Sequence, residues 1–336
     1  VKHTASENPH SNLPPEDKPS DSEAYHKGPP PKQCPPEPFD ISKCPSVQAV
    51  TENQPTDDDD SVTDLTSPRK RKDRPLISYA YSESDFARIN LQFFITHALH
   101  SAADFIFILN GDTDVDETIL PKGRTNIRVI KRENTCFDLG AHAEVLSAPG
   151  KNGRPAPKDK YKRFILMNAS IRGPFVPHWS RECWSDAYLG RLNSKVKLVG
   201  ATLNCHGGNS PHVQSMIWAT DSIGLQHILS PSAIGECFDS LDAAMGGEVR
   251  TTGYLREQGY EVDVMLSIFQ TERDYGFVNC KDPNDFLYQG SYFGFSVHPY
   301  ETLFIKSHRG IEDNMLEKLS VWSDMSGYTS EDVCKL

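Results

Sequence analysis

The sequence predicts an α/β fold, a mostly parallel sheet with covering helices, preceded by a Pro-rich stem. Three observations carry that expectation. Short apolar runs, Leu76–Tyr81, Phe105–Leu109, Ile127–Ile130 and Phe164–Met167, are too short for helices and read as buried strands. Segments with helical spacing of apolar residues lie between several of them. Finally, 14 of the 24 prolines fall within residues 1–75, beside the acidic run Asp57–Asp60 and the basic run Arg69–Lys72. Few aromatic or branched apolar residues occur there, so burial cannot offset the entropy of ordering, and residues 1–75 are expected to be a disordered linker. Residues 76–310 form the expected folded domain, and 311–336 a carboxy-terminal extension.

The folded part opens with the strand Leu76–Tyr81, after Arg74-Pro75. Ser84 is the expected N-cap of a helix running to about His100, with Asp85 in its first turn and Phe86, Ile89 and Phe93 at helical spacing. A second strand, Phe105–Leu109, ends in the acidic turn Asn110–Asp114; a third, Ile127–Ile130, leads through Glu133-Asn134 to a helix from Phe137 through Leu146. Residues 148–160, rich in Gly, Pro and Lys, read as an exposed loop. The central strand Phe164–Met167 stops at Asn168-Ala169-Ser170, and Gly173-Pro174 then turns the chain. Helical character follows over Trp179–Leu192, a strand over Lys197–Thr202, the segment His212–Thr220 after a Gly-rich loop at 207–208, and a short helix over Leu225–Leu229. Glu248 precedes an expected helix Val249–Gln258, ended by Gly259, and a strand Glu261–Leu266. No internal repeat is present.

Composition excludes several classes. A net charge of −11 with no broad basic face argues against nucleic-acid binding. No run of 18 apolar residues exists, so a membrane would be met only through an anchor amino-terminal to Val1, a position that is not Met. The basic cluster at 69–74 reads as a solvated linker, a localisation signal or an electrostatic membrane contact. Eight cysteines show no CxxC pair and no Cys/His zinc spacing. Their even number and the Pro-rich stem suit an oxidising lumen, although free buried thiols of a cytosolic enzyme fit the same count.

Ligands of open α/β sheets sit beyond the carboxyl ends of the strands, which directs attention to Asn168 and Ser170. In order, the motifs resemble a GT-A fold glycosyltransferase, of family 2 and of the rhamnan-synthesis protein F group. The residues that carry the resemblance are Asn110–Asp114, Glu133–Gly140, Asn168-Ala169-Ser170 with Gly173-Pro174, His212-Val213-Gln214-Ser215, and Gly247-Glu248-Val249 followed by Gly259-Tyr260. The resemblance implies transfer of a sugar from a UDP- or GDP-linked donor to a glycan hydroxyl. The Pro-rich stem and the even cysteines lead to the expectation of the secretory pathway, in the Golgi lumen, as a type II membrane protein. It implies donor contacts from Tyr79, Asp112, Asp114, Asn134, Asp138, Asn168, Ser170, Gln214, Lys306 and Arg309. Where the family places the metal-binding Asp-x-Asp, this chain has Asn168-Ala169-Ser170, so dependence on Mn2+ or Mg2+ is expected to be weak or absent. His298 is the candidate metal ligand. A rival reading is a non-catalytic carbohydrate-binding or scaffold protein that kept the fold and lost that motif.

Glu248 is the candidate general base of an inverting displacement, expected at a helix start where the macrodipole keeps a carboxylate ionised. Asp112-x-Asp114 is the one D-x-D after a buried strand, but it follows the second strand, which points to nucleobase or ribose. Its continuation to Asp116 is no EF-hand, because position twelve would be Gly123. Asp138 is expected to orient the donor sugar or cap its helix. Asn168-Ala169-Ser170 is also a glycosylation sequon, expected to be recessed and unmodified.

Overall fold

A computed structural model of the chain describes residues 73–150, 153–205, 211–270, 285–309, 311 and 313–335. The stem expected over residues 1–75 lies almost wholly outside the described residues.

The first half alternates strand and helix: β1 (Leu76–Ser82), α1 (Asp85–His97), β2 (Asp104–Asn110), α2 (Val115–Thr118), β3 (Ile127–Arg132), α3 (Phe137–Ser147), α4 (Pro157–Lys160) and β4 (Arg163–Asn168). The second half runs β5 (Ile171–Arg172), α5 (Trp184–Leu189), β6 (Val196–Gly200), β7 (Leu203–Asn204), β8 (His212–Val213), β9 (Ile217–Asp221), α6 (Ser222–Ile228), α7 (Leu241–Glu257) and β10 (Glu261–Val264). It closes with α8 (Pro299–Thr302), β11 (Ile305–Lys306), α9 (Asp313–Ser326) and α10 (Ser330–Val333).

Among the described residues the main sheet has seven strands in the order β10-β6-β9-β4-β1-β2-β3. All neighbours are parallel except that β9 runs against β4 and β6. The α/β architecture expected from the apolar runs is therefore present. β1, β2 and β4 are buried along nearly their whole length, as strands covered on both faces must be. β3 has only intermediate and exposed positions and forms the sheet edge.

Several helices differ from expectation. α2 is additional, α4 lies inside the expected loop 148–160, and α5 covers only Trp184–Leu189 of the expected Trp179–Leu192. α1 differs in its buried face and α7 in its start. Ser84 caps α1 by accepting from Ala87 N, as expected, but Phe86 and Ile89 are 54% and 53% exposed. The buried face is Ala87, Asn90, Leu91, Phe93, Phe94 and His97, so of the three residues at the expected spacing Phe93 alone faces the core. α7 begins at Leu241, capped by Ser240, eight residues before the expected start. Gly246 and Gly247 argue against a helix by propensity, but packing overrides it: a Cβ on Gly247 would stand 2.5 Å from the Phe238 ring.

The carboxy-terminal residues are part of the domain rather than an extension. Leu316 and Cys334 are buried, His97 bonds Asp324 at 2.7 Å, and Ser330 donates to the His97 carbonyl at 2.6 Å. Cys183–Cys334 ties this region to the chain before α5, and Cys136–Cys237 ties the start of α3 to the segment before α7. Cys205 is likewise disulfide-bonded.

Gly173 places the last strand. Its φ is +153°, and a Cβ there would strike the Leu303 carbonyl and the Phe304 ring, so only glycine admits this approach. Phe175 N donates to the Leu303 carbonyl at 2.7 Å, and β11 pairs with β5 so that Lys306 faces Ile171. Lys306 is thereby held beside the end of β4.

Candidate active site

The parallel register aligns the strand ends: Ser82, Asn110 and Arg132 lie in one row, with Asn168 opposite Ala80. Two groups of polar residues occupy this edge.

The inner group lies beyond β4. Asn168 donates through Nδ2 to Asp138 Oδ2 at 2.5 Å, while its Oδ1 accepts from the Ser170 amide at 3.1 Å and hydroxyl at 2.5 Å. Asp138 stands in the first turn of α3, where its Oδ1 accepts from Leu139 N at 3.0 Å. One turn on, His142 is buried and shares a 2.9 Å hydrogen bond with Ser78 Oγ. Burial lowers its pKa to about 4, against the pull of Asp138 and a bond to the Met167 backbone, so the ring is neutral beneath the cluster at physiological pH.

Glu248 reaches this cluster from α7. Its Oε1 accepts from Ser215 N at 2.5 Å. It sits in the middle of α7 and not at a helix start, so the macrodipole, which acts within the first turn, does not hold it ionised. Burial raises its pKa above the ordinary carboxylate value, opposed by the Ser215 amide and by Lys306 and reinforced by Asp138. Lys306 shows the converse: burial and then Arg309 lower its pKa, while Glu248, Asp285 and Asp138 raise it. Arg309 pairs with Asp285 at 3.0 Å and lies over the Tyr288 ring at 4.6 Å. Gln214, buried, donates to the same Asp285 at 3.4 Å. One basic carboxylate, two cations and an amide–carboxylate pair thus meet at the end of β4. A carboxylate with raised basicity can accept a proton, and the cations can receive a leaving anion.

The outer group surrounds the ends of β1–β3. Asn134 donates to Ser82 Oγ at 3.1 Å, and a Cβ on Gly111 would come within 3.2 Å of Asn134 Cβ. Arg88 bridges Glu83 at 2.8 Å and Asp114 at 2.6 Å. Asp112 and Asp114 are exposed.

Two expected site residues lie elsewhere. Tyr79 is 1% exposed, its ring packed on Phe94 and Phe107 in the core, because β1 is covered on both faces. His298 caps α8, its Nδ1 accepting from Tyr300 N at 3.2 Å, and lines a separate pocket with Trp179 and Glu301. Asp285, Ser215 and His142 belong to the inner group but were not singled out by sequence. Asp285 lies in no pattern, whereas Ser215 falls within the quoted His-Val-Gln-Ser. A cavity of about 1120 Å³ lies by β3 at the amino ends of β1 and β2 and holds none of the candidate residues.

The inner group does not fit a divalent cation. Such ions need several oxygen ligands. Here Asn168 Oδ1 already accepts two hydrogen bonds, its amide faces Asp138, and an ammonium stands close by. Among the described residues the one cluster with metal-ligating atoms in reach of each other is His100, Cys183 and Cys334, whose two sulfurs are bonded to each other.

No protein-family model matches the chain, and no curated protein sequence does. Solved structures are similar at low identity. The glycosyltransferase GlyE of Streptococcus pneumoniae TIGR4, in its apo form, is 12% identical at TM-score 0.39, over 78% of this chain and 62% of its own. The mannosyltransferase PcManGT of Pyrobaculum calidifontis, in complex with GDP-Man and Mn2+, is 10% identical at 0.36, over 60% and 58%. A cytidylyltransferase of Leptospira borgpetersenii is 9% identical at 0.28, over 46% and 62%. The chain spans about three fifths of each of these structures. Likeness of this depth fixes neither substrate nor reaction.

Proposed function

We propose that this chain is a glycosyltransferase that moves a hexosyl or pentosyl group from a UDP- or GDP-linked donor to a glycan hydroxyl with inversion. The observation that supports it is the meeting of Glu248 with Lys306 and Arg309 beyond β4, the edge where open α/β sheets bind ligands. The acceptor oxygen attacks the anomeric carbon as the bond from that carbon to the diphosphate oxygen breaks. The acceptor proton passes to the free oxygen of Glu248, and the electron pair leaves on the diphosphate, whose charge Lys306 and Arg309 offset. Asp138, fixed by Asn168, orients the donor sugar; Asn134 and Asp112 face the nucleoside. Asp114 is already committed to Arg88 and contributes less. The donor set beyond β4 supports transfer without Mn2+ or Mg2+. The disulfides support an oxidising, Golgi-type compartment.

A thermal-shift screen of nucleotide-sugars, with Mn2+ and with EDTA, tests this reading. Stabilisation by a UDP- or GDP-sugar in EDTA is the expected result. Absence of any nucleotide effect would favour the non-catalytic rival, and activity strictly dependent on Mn2+ would remove the assignment of charge neutralisation to Lys306 and Arg309.

A further inference from the structure

The segments that leave the inner group, 170–182 after β4 and 298–305 before Lys306, together wall a second pocket. Its volume is about 410 Å³, near the lower end of the ~300–1,000 Å³ typical of small-ligand sites. Leu303 lines it, three residues before Lys306, so at most about 11 Å of extended chain separates the two α-carbons.

The chemistry of the lining is specific. Val176, Met265 and Leu303 supply apolar surface, and Trp179 stands at the pocket with 82% of its surface exposed. His298 Nδ1 accepts from Tyr300 N, which leaves Nε2 as the protonated, donating nitrogen of a neutral ring. Glu301 accepts from Ser267 N and from the Tyr292 hydroxyl, each at 3.0 Å and both through Oε1. Those bonds, with His298 beside it, hold its pKa below the ordinary value even though burial works the other way. The Ser267 hydroxyl also bonds this carboxylate, which stays ionised and keeps acceptor capacity beyond these bonds.

A ligand suited to this pocket must accept from an imidazole N–H, donate to a carboxylate and lay an apolar face on an indole. Glu182 and Glu301 disfavour an anion. A cation would gain from the carboxylates and the indole, but would leave the His298 donor without an acceptor. A pyranose meets every requirement: its hydroxyls both donate and accept, and one face carries only C–H groups. We infer that the pocket lined by Trp179, His298, Tyr300 and Glu301 binds one saccharide unit of the acceptor glycan. The assignment to an acceptor rests on the transferase reading above; binding of the saccharide does not.

The test therefore measures binding without nucleotide. The full chain is titrated with cellobiose, lactose, mannobiose and xylobiose, and with choline chloride as the cationic control, followed by tryptophan fluorescence and saturation-transfer NMR. At least one disaccharide is expected to bind with a Kd near about 1 mM and to quench fluorescence. Trp179→Ala should weaken it about tenfold, as expected for a lost stacking contact worth roughly 1.4 kcal/mol. Glu301→Gln should weaken it comparably while keeping an oxygen for Ser267 and Tyr292. Both variants should keep the parent melting temperature within a few degrees and the parent's response to UDP- and GDP-sugars. Failure of all four disaccharides, binding of choline alone, or disaccharide binding unchanged in both variants overturns the inference. Disaccharide binding in a protein that no nucleotide stabilises would leave the pocket standing and remove the transferase reading instead.

Discussion

The turn after β2 and the cluster after β4 are built from the same side chains, carboxylates with a basic partner, at the same edge of one sheet. They differ in burial, and from that in everything else. In the turn, Arg88 closes on Glu83 and Asp114 in the open, and each side holds the other in its charged form: the arginine lowers the Glu83 pKa, and the two carboxylates raise that of Arg88. In the cluster, Glu248 and Lys306 are pushed toward neutrality from opposite sides, each drawn back toward its charged form by the other. Exposed charges are screened and pair cheaply. Buried ones are perturbed, and perturbed groups are what proton transfer and anion capture require.

The largest expected effect falls on the buried side. Glu248→Gln keeps an oxygen for the Ser215 amide but cannot accept a proton, so turnover should fall about 10²- to 10⁴-fold with donor binding retained. Burial sets a further mark on the parent. The Glu248 pKa lies above the ordinary 4.5, so the base is lost on acidification at a higher pH than an exposed glutamate would give. The Lys306 pKa lies below 10.5, so its charge is lost early on the alkaline side. A pH–rate profile should be a bell narrowed from both limbs; a profile flat below pH 7 would remove Glu248 as base. A variant that turns over at a tenth of the parent rate or better would do the same, and Asp242, Asp239 and Glu236 would then be the bases to examine.

Next in size is an effect on stability. The folded-state pKa of His142 is depressed from 6.5 to about 4, so its contribution is present above pH 6.5 and is lost as pH falls toward 4. A shift of that size corresponds to roughly 3 kcal/mol. Urea unfolding of the parent should lose about that much between pH 6.5 and 4 beyond the loss seen in His142→Asn. Equal acid sensitivity in the two proteins would show that the ring is not buried neutral beneath Asp138.

Lys306→Met should follow. It removes a charge-assisted contact, typically worth about 1.5–3 kcal/mol, and so should weaken nucleoside-diphosphate binding roughly ten- to hundredfold. The parent should show this affinity equally in EDTA and in Mn2+. Unchanged affinity in the variant would mean that the leaving group lies elsewhere.

The same contrast explains what could be read from the chain. The first half of the sheet was legible because β2 and β4 carry unbroken apolar runs and β1 one broken only by Ser78, and a strand covered on both faces leaves little else to encode. The hydrogen-bonded pair Asn168 and Asp138 falls at boundaries the chain marks, the end of β4 and the first turn of α3. The start of α7 could not: Gly246-Gly247 carries a local signal against helix, and the reason for Gly247 is the ring of Phe238, a contact no periodicity shows. The buried face of α1 was misread for a related reason. Phe86 and Ile89 fit helical spacing, but the stripe through Ala87, Asn90, Leu91 and Phe94 fits it equally, and only the sheet decides between them. Asp285 joins Arg309 and Gln214 through contacts up to 71 residues apart in sequence, beyond the reach of local pattern. Tyr79 failed in the opposite direction, since a polar-tipped aromatic on a buried strand carries no mark of which way it faces.

The smallest expected effects lie in the exposed turn, and they bear most directly on the contrast. Asp114→Asn removes one arm of the Arg88 bridge, but Arg88 keeps Glu83 through two hydrogen bonds, at 2.9 and 2.8 Å, so the arginine is not stranded. The pair is exposed, and losses at such pairs are small; the melting temperature should move by no more than about 3 °C. Nucleotide affinity should barely change, because the carboxylate removed was already engaged by a neighbour. Asp112 is different. Exposed two residues past Asn110, with no ion pair among the described residues, it is the carboxylate of the turn still able to accept from a base or ribose. Asp112→Asn should therefore weaken nucleotide binding several-fold, about 1 kcal/mol for one hydrogen bond, at an unaltered melting temperature. Calorimetric titration of the two variants beside Lys306→Met compares all three sites on one scale. If Asp114→Asn costs as much affinity as Lys306→Met, burial is not what separates the two regions, and the donor leans on the exposed turn as heavily as on the cluster beyond β4.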